Sequence, residues 1–181
     1  AHNCFFLQKS FSSIRVKQTT NKVTPDLQRQ KGKSAFGVPL ETLIQEEPQC
    51  RVPFLVTQMV EYLEVFGLEH VGIFRINGSV HKIKELKQKY NQGEDVDLIN
   101  DGDVNTVARL FMYVYYCFTE HEVNTTECLK NLRQLLSCLP KAHHSLLQFL
   151  AAFLLKVSAH SAVNFMTLEN LAIVFGPAFF K

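Results

Sequence analysis

Several familiar catalytic signatures are missing from this chain. It has no G-x-x-x-x-G-K-[ST] phosphate loop, no H-E-x-x-H and no G-x-S-x-G. Phosphate chemistry carried out by this chain alone is therefore not expected. Its five cysteines (Cys4, Cys50, Cys117, Cys128, Cys138) are odd in number, widely spaced and form no C-x-x-C. That pattern argues against a disulfide framework and a zinc site, and it fits a reducing compartment. His143 and His144 lack the i, i+4 spacing of a helical metal pair, so no metal of its own is expected. No apolar run approaches the roughly 18 residues that a membrane span requires. Cys4-Phe5-Phe6-Leu7 is too short and too poorly flanked for a signal peptide. The expectation is a cytoplasmic protein, at most peripheral to a membrane.

What is present reads as one folded domain behind an arm. Apolar content of 46% and charged content of 20% are those of a soluble globular chain, and 181 residues can bury a sizeable core. The net charge of +2 hides an asymmetry. Residues 1–34 hold Lys9, Arg15, Lys17, Lys22, Arg29, Lys31 and Lys33 against Asp26 alone, which leaves −4 for residues 35–181. This Ser/Thr/Gln/Lys-rich stretch has no sustained period and reads as a basic, flexible arm. Its charge allows a weak contact with acidic membrane, although a solvated linker is the preferred reading. No aromatic residues interleave its basic ones after Phe11, so nucleic acid is not an expected partner.

The folded part, residues 35–181, reads as all-α, with six helical segments and no βαβ unit. Phe36-Gly37-Val38-Pro39-Leu40 should dock against the body, and Gln45 to Gln49 should be a polar loop. Pro53 suits a first helical turn. Leu55, Val56, Met59, Val60, Tyr62, Leu63 and Phe66 follow at helical spacing, and Gly67 caps the end. Ser79 can cap a second helix with Val80, Ile83, Leu86 and Tyr90 inward and Lys82, Lys84, Lys87 and Lys89 elsewhere. Gly93 ends it. Asp103 is an N-cap candidate for a third helix that runs into the apolar stretch 111–118. The β-branched and aromatic residues of that stretch suit a strand equally, and helix is assigned from its neighbours. Asn124-Thr125-Thr126-Glu127 has capping-box spacing ahead of Leu129, Leu132, Leu136 and Leu139. Pro140 opens a long helix through Val157. Thr167 opens the last one, with Leu168, Leu171, Ala172 and Phe175 inward, and Gly176-Pro177 should stop it. Asn170 shares that helix and needs a polar partner.

Between the first two helical segments lies Val71-Gly72-Ile73-Phe74-Arg75-Ile76-Asn77-Gly78. Gly72 and Gly78 permit backbone conformations that a side chain forbids. Ile73, Phe74 and Ile76 can anchor the loop while Arg75 points outward. A guanidinium is always charged and carries a fixed fork of donors, so an arginine on a rigid loop suits phosphate recognition. Taken alone, Arg75 is as well read as a surface cation.

Three stretches together resemble the Rho GTPase-activating (RhoGAP) domain family: Phe36-Gly37-Val38-Pro39-Leu40, Gly72-Ile73-Phe74-Arg75, and Asn170-Leu171-Ala172-Ile173-Val174-Phe175-Gly176-Pro177. Asn164-Phe165-Met166-Thr167 is also similar to the family's N-x-M-T lead-in to its last helix. The resemblance covers residues 36–181. It implies a RhoGAP-type helical bundle that binds a Rho-family small GTPase in its GTP state and stimulates hydrolysis in trans, without being an enzyme in its own right. By that resemblance Arg75 is the arginine finger, and such an arginine is worth on the order of 10³–10⁵ in rate. Asn170, Lys82 and Pro177 would meet the partner. GTP and magnesium would belong to the GTPase, with no cofactor of this chain's own.

One departure matters. After an alanine-rich start like Val107-Ala108, the family carries Leu-Lys…Leu-Arg-Glu-Leu-Pro, whose Lys and Arg support the finger loop and contact the GTPase. Here Arg109-Leu110 runs straight into Phe111-Met112-Tyr113-Val114-Tyr115-Tyr116. Aligned without a gap, Met112 and Tyr116 take the places of that Lys and Arg. Alternatively a block of about one helix is absent, and the missing Leu-Pro favours this second alignment. The sequence also ends soon after Gly176-Pro177, where the family continues. Either way the finger's support is reduced. The alternative to an activator is thus a GTPase-binding module that accelerates hydrolysis weakly or not at all.

Overall fold

The stretch that suited helix and strand equally is helical, and it forms the spine of the molecule. The computed structural model describes residues 35–46, 51–118, 136 and 139–179. The arm at 1–34, the capping box at 124–127 and most of the leucine stripe at 129–139 lie outside the described residues. Eight helices are described: α1 (Leu40–Glu46), α2 (Phe54–Phe66), α3 (Val80–Gln92), α4 (Leu98–Asp101), α5 (Val104–Phe118), α6 (Lys141–Ala159), α7 (Ser161–Asn164) and α8 (Leu168–Phe179). No strand occurs among the described residues. The fold is all-α.

Helix α5 packs on α2, α3 and α8. Val107, Ala108, Leu110, Phe111, Met112, Val114 and Tyr115 are buried, while Arg109 and Tyr113 share its exposed stripe one turn apart. A helix apolar almost all round is one that others surround. Phe111 from α5, Phe153 from α6 and Phe175 from α8 meet edge-on, with ring centroids 5.6 and 6.4 Å from Phe111. Full burial of side chains this size stabilises by about 1.5–3 kcal/mol each.

The helix ends follow the signals expected of them. Ser79 Oγ accepts the Lys82 amide at 3.4 Å, and Gly93 is left-handed at φ 67°. Asp103 Oδ1 accepts the Thr106 amide at 2.9 Å and caps α5. The 35–39 segment docks as expected: Asn91 Oδ1 accepts the amides of Ala35 and Phe36 at 2.9 and 3.1 Å. The Phe36 ring packs near Tyr90 and Tyr113, and Lys87 Nζ lies 3.6 Å from the Tyr113 centroid. A cation over an aromatic face is attracted by the ring quadrupole.

Other expectations are corrected. Gln45 and Glu46 belong to α1, a helix the sequence did not announce because seven residues are too few to establish a period. Leu40 and Leu43 bury it, and Glu41 Oε1 meets His143 Nε2 of α6 at 2.9 Å. The segment count of six misses this helix and the single-turn α4 and α7. Val80 is exposed at the start of α3, and Ile76 lies outside rather than anchoring the loop. In α8, Leu171 and Phe175 face inward but Leu168 and Ala172 do not. Pro177 does not stop α8, which runs on to Phe179. A proline there forfeits one hydrogen bond, to the carbonyl of Ile173. Ile173 is on the outer face, 74% exposed, so water can serve that carbonyl instead.

Candidate functional site: the Arg75 loop

The chain between α2 and α3 is held at four places. First, His70 Nε2 lies 3.1 Å from Asn105 Oδ1 at the start of α5. Second, the Gly72 amide donates to the Asn164 carbonyl at 2.9 Å. Gly72 has φ 72°, a left-handed backbone that suits glycine. Its own carbonyl accepts the amides of Arg75 and Ile76 at 2.8 and 3.0 Å, which closes the turn under the arginine.

Third, Phe74 pins the tip. It also sits at positive φ, 69°, where a bulky residue is costly. The ring explains why the conformation persists: it is 4% exposed and lies 5.1 Å from Phe175, 6.2 Å from Phe111 and 6.2 Å from Phe153, centroid to centroid. Packing on this scale outweighs backbone strain of about 1–3 kcal/mol. Fourth, the loop ends against α5. A Cβ on Gly78 would stand 2.4 Å from Thr106 Cα and 2.6 Å from its nitrogen, so here the glycine supplies space. The next amide, Ser79 N, donates to Thr106 Oγ1 at 3.2 Å, and that hydroxyl donates to Asp103 Oδ2 at 2.8 Å.

Arg75 is exposed between the buried Phe74 and the exposed Ile76, and its guanidinium makes no hydrogen bond or ion pair among the described residues. Lys82, in the first turn of α3, sits with Nζ 3.3 Å from Asp103 Oδ2, both side chains nearly half exposed. Burial pushes the Asp103 carboxyl up, but donors from Thr106 and Lys82 outweigh it and hold the group below the usual carboxylate range. Asn170 Nδ2 donates to the Phe165 carbonyl at 2.9 Å. Phe165 is left-handed at φ 60° and follows Asn164, the residue that receives the Gly72 amide. Asn170 and the Arg75 loop therefore meet through the 164–165 turn. Pro177 lies exposed near the end of α8.

Two residues of this arrangement escaped the sequence reading. Thr106 and Asn164 are the fully buried polar side chains among the described residues, and both hold this loop. Met112 is buried in α5, and the Tyr116 hydroxyl donates to the Val174 carbonyl of α8 at 2.8 Å. Among the described residues no three His, Cys, Asp or Glu side chains gather as metal ligands.

An exposed arginine on a loop anchored by aromatic rings and buried amides is the feature that comparison with known proteins should test. A model of the RhoGAP domain matches residues 53–115 and 111–181. The chain belongs to the RhoGAP domain family. The two matched pieces share 111–115, the stretch where the Leu-Lys…Leu-Arg-Glu-Leu-Pro pattern is lost, as a block missing from this chain would produce. The Rho GTPase-activating proteins gacJJ and gacY of Dictyostelium discoideum are 34% and 38% identical, each over 83% of this chain. Human Rho GTPase-activating protein 1 is 32% identical over 78% of the chain. The alignments cover 19%, 23% and 36% of those relatives, so this RhoGAP domain corresponds to a part of each. The crystal structure of human Rho GTPase activating protein 15 superposes with a TM-score of 0.71 at 23% identity, covering 87% of this chain and 85% of that one. That likeness establishes the fold.

Proposed function

We propose that this domain binds a Rho-family small GTPase in its GTP state and stimulates hydrolysis in trans through Arg75. The observation that carries the reading is an exposed guanidinium on a loop whose backbone is fixed on both sides of it, at Gly72 and at Phe74. Preorganised positive charge aimed where negative charge develops needs no reorganisation during reaction, and it acts most strongly where water is excluded. The apolar side chains beside it, Val71 and Ile76, are exposed and would be covered by a partner. Asn170 would steady the finger loop through the 164–165 turn, and Lys82 and Pro177 would meet the GTPase around it. Magnesium and nucleotide are the partner's. The basic arm at 1–34 would add at most a weak attraction to acidic membrane.

A second reading has an observation of its own. Met112 is buried and Tyr116 is bonded to α8, so neither supplies the cation that the family pattern places on this helix. The domain would then bind the GTP form yet accelerate hydrolysis weakly. Single-turnover GTP hydrolysis by a panel of Rho-type GTPases, with this chain and with Arg75→Ala, separates the two. Acceleration that disappears in Arg75→Ala supports the first. Binding of the GTP form without acceleration supports the second, and neither binding nor acceleration would sink both.

A further inference from the structure

We infer that Asn164 is the positioning residue for Arg75: it sets the height and orientation of the finger loop without touching the partner. This rests on the reading of Arg75 given above. Asn164 is 0% exposed, and every polar atom of its side chain is used. Nδ2 donates to the Leu68 carbonyl at 2.7 Å and to the Val157 carbonyl at 2.8 Å, while Oδ1 accepts the Met166 amide at 2.7 Å. One side chain thus ties the chain ahead of the loop to the end of α6 and to the lead-in of α8.

Its main chain continues the path. The Asn164 carbonyl takes the Gly72 amide at 2.9 Å, and the Gly72 carbonyl takes the Arg75 amide at 2.8 Å. Two hydrogen bonds in series connect a fully buried amide to the backbone of the exposed arginine. The carboxamide is suited to this place because it offers two donors and an acceptor without charge. Aspartate would set a carboxylate against two carbonyls, and alanine would leave those carbonyls and the Met166 amide without partners in the interior. Asn170 sits one link further out, on the Phe165 carbonyl, and remains partly exposed.

A group that acts by placement changes the maximal rate more than the affinity, since the docking surface persists while the guanidinium is displaced. Misplacement of about 1 Å costs on the order of 10²-fold in rate. The test is single-turnover hydrolysis at increasing concentrations of the domain, with Asn164→Ala, Arg75→Ala and the double variant. The expected result is a maximal rate lower by about 10²-fold, a half-saturating concentration little changed, and a double variant no slower than Arg75→Ala. A maximal rate within about twofold of the unmutated domain, or a loss confined to half-saturation, would overturn the inference.

Native-state amide exchange on the unmutated domain decides the matter where Asn164→Ala does not fold, or where the domain accelerates no GTPase. In the second case the reading of Arg75 fails on its own, and the exchange still reports what holds the loop. The Gly72 and Met166 amides should open together, with one opening free energy. Gly72 exchanging as fast as an exposed loop amide while Met166 stays protected would show that Asn164 does not hold the loop.

Discussion

Phe74 carries a cost and its compensation in the same residue. The backbone is left-handed, while the ring fills the junction of α5, α6 and α8 beside Phe111, Phe153 and Phe175. Phe74→Ala keeps the unfavourable φ and empties the junction. A loss of about 3–5 kcal/mol is expected, read as a lowered denaturant midpoint with an unchanged slope. Gly78 is constrained differently, by the backbone of Thr106 rather than by its own dihedrals. Gly78→Ala should therefore cost about 1–3 kcal/mol by overpacking, and it should lower any GTPase acceleration as well, because the collision sits where the loop meets α5. Arg75→Ala makes the contrasting case. Its side chain is exposed and unbonded among the described residues, so stability should stay within about 0.5 kcal/mol while acceleration is lost.

Capping at the scale of elements is electrostatic as much as geometric. Asp97 caps α4 and Asp103 caps α5, and Glu169 lies in the first turn of α8. All three carboxylates sit below their ordinary range: Asp97 through the Asn100 side chain, Asp103 as described above, and Glu169 through the Thr167 hydroxyl. The positive end of each helix favours the ionised form in the same sense. A carboxylate with a folded pKa below its unfolded one contributes stability above the unfolded value, near pH 4, that disappears as pH falls through the folded value. Thermal midpoints should hold from pH 7 to about 5 and drop below about 4, with a shallower drop in Asp103→Asn. These caps were legible in the sequence because Ser, Asp and Gly at helix ends act through neighbours three or four residues away. Helix α1 was not, since it is held by Leu40, Leu43 and the Glu41–His143 contact with a helix some hundred positions on. Asn164 escaped for the same reason: one of its carbonyl partners lies 96 residues away, and nothing local distinguishes a buried asparagine from a surface one.

For the molecule as a whole, the question is where the domain begins. Packing is already complete at Ala35, which is 1% exposed with its amide on Asn91. Phe36 joins the Tyr90, Tyr113 and Lys87 group, and Pro39 accepts the first amides of α1. Charge changes at nearly the same point, from the basic arm to a body of net −4. Removal of residues 1–34 is therefore expected to leave the thermal midpoint within about a degree of the full chain. Removal of residues 1–39 deletes the Asn91 contacts and the aromatic docking and leaves α1 without its lead-in. A loss of about 2 kcal/mol from buried Phe36 surface and the two amide bonds would lower the midpoint by roughly 4–8 °C for a chain of this size. The two truncations also divide the arm's roles. If the shorter one keeps full GTPase acceleration in solution yet loses it relative to the full chain on acidic vesicles, the arm works by electrostatic recruitment. Such a loss should shrink as salt rises, because attraction between exposed charges is screened over about 10 Å at 0.1 M ionic strength.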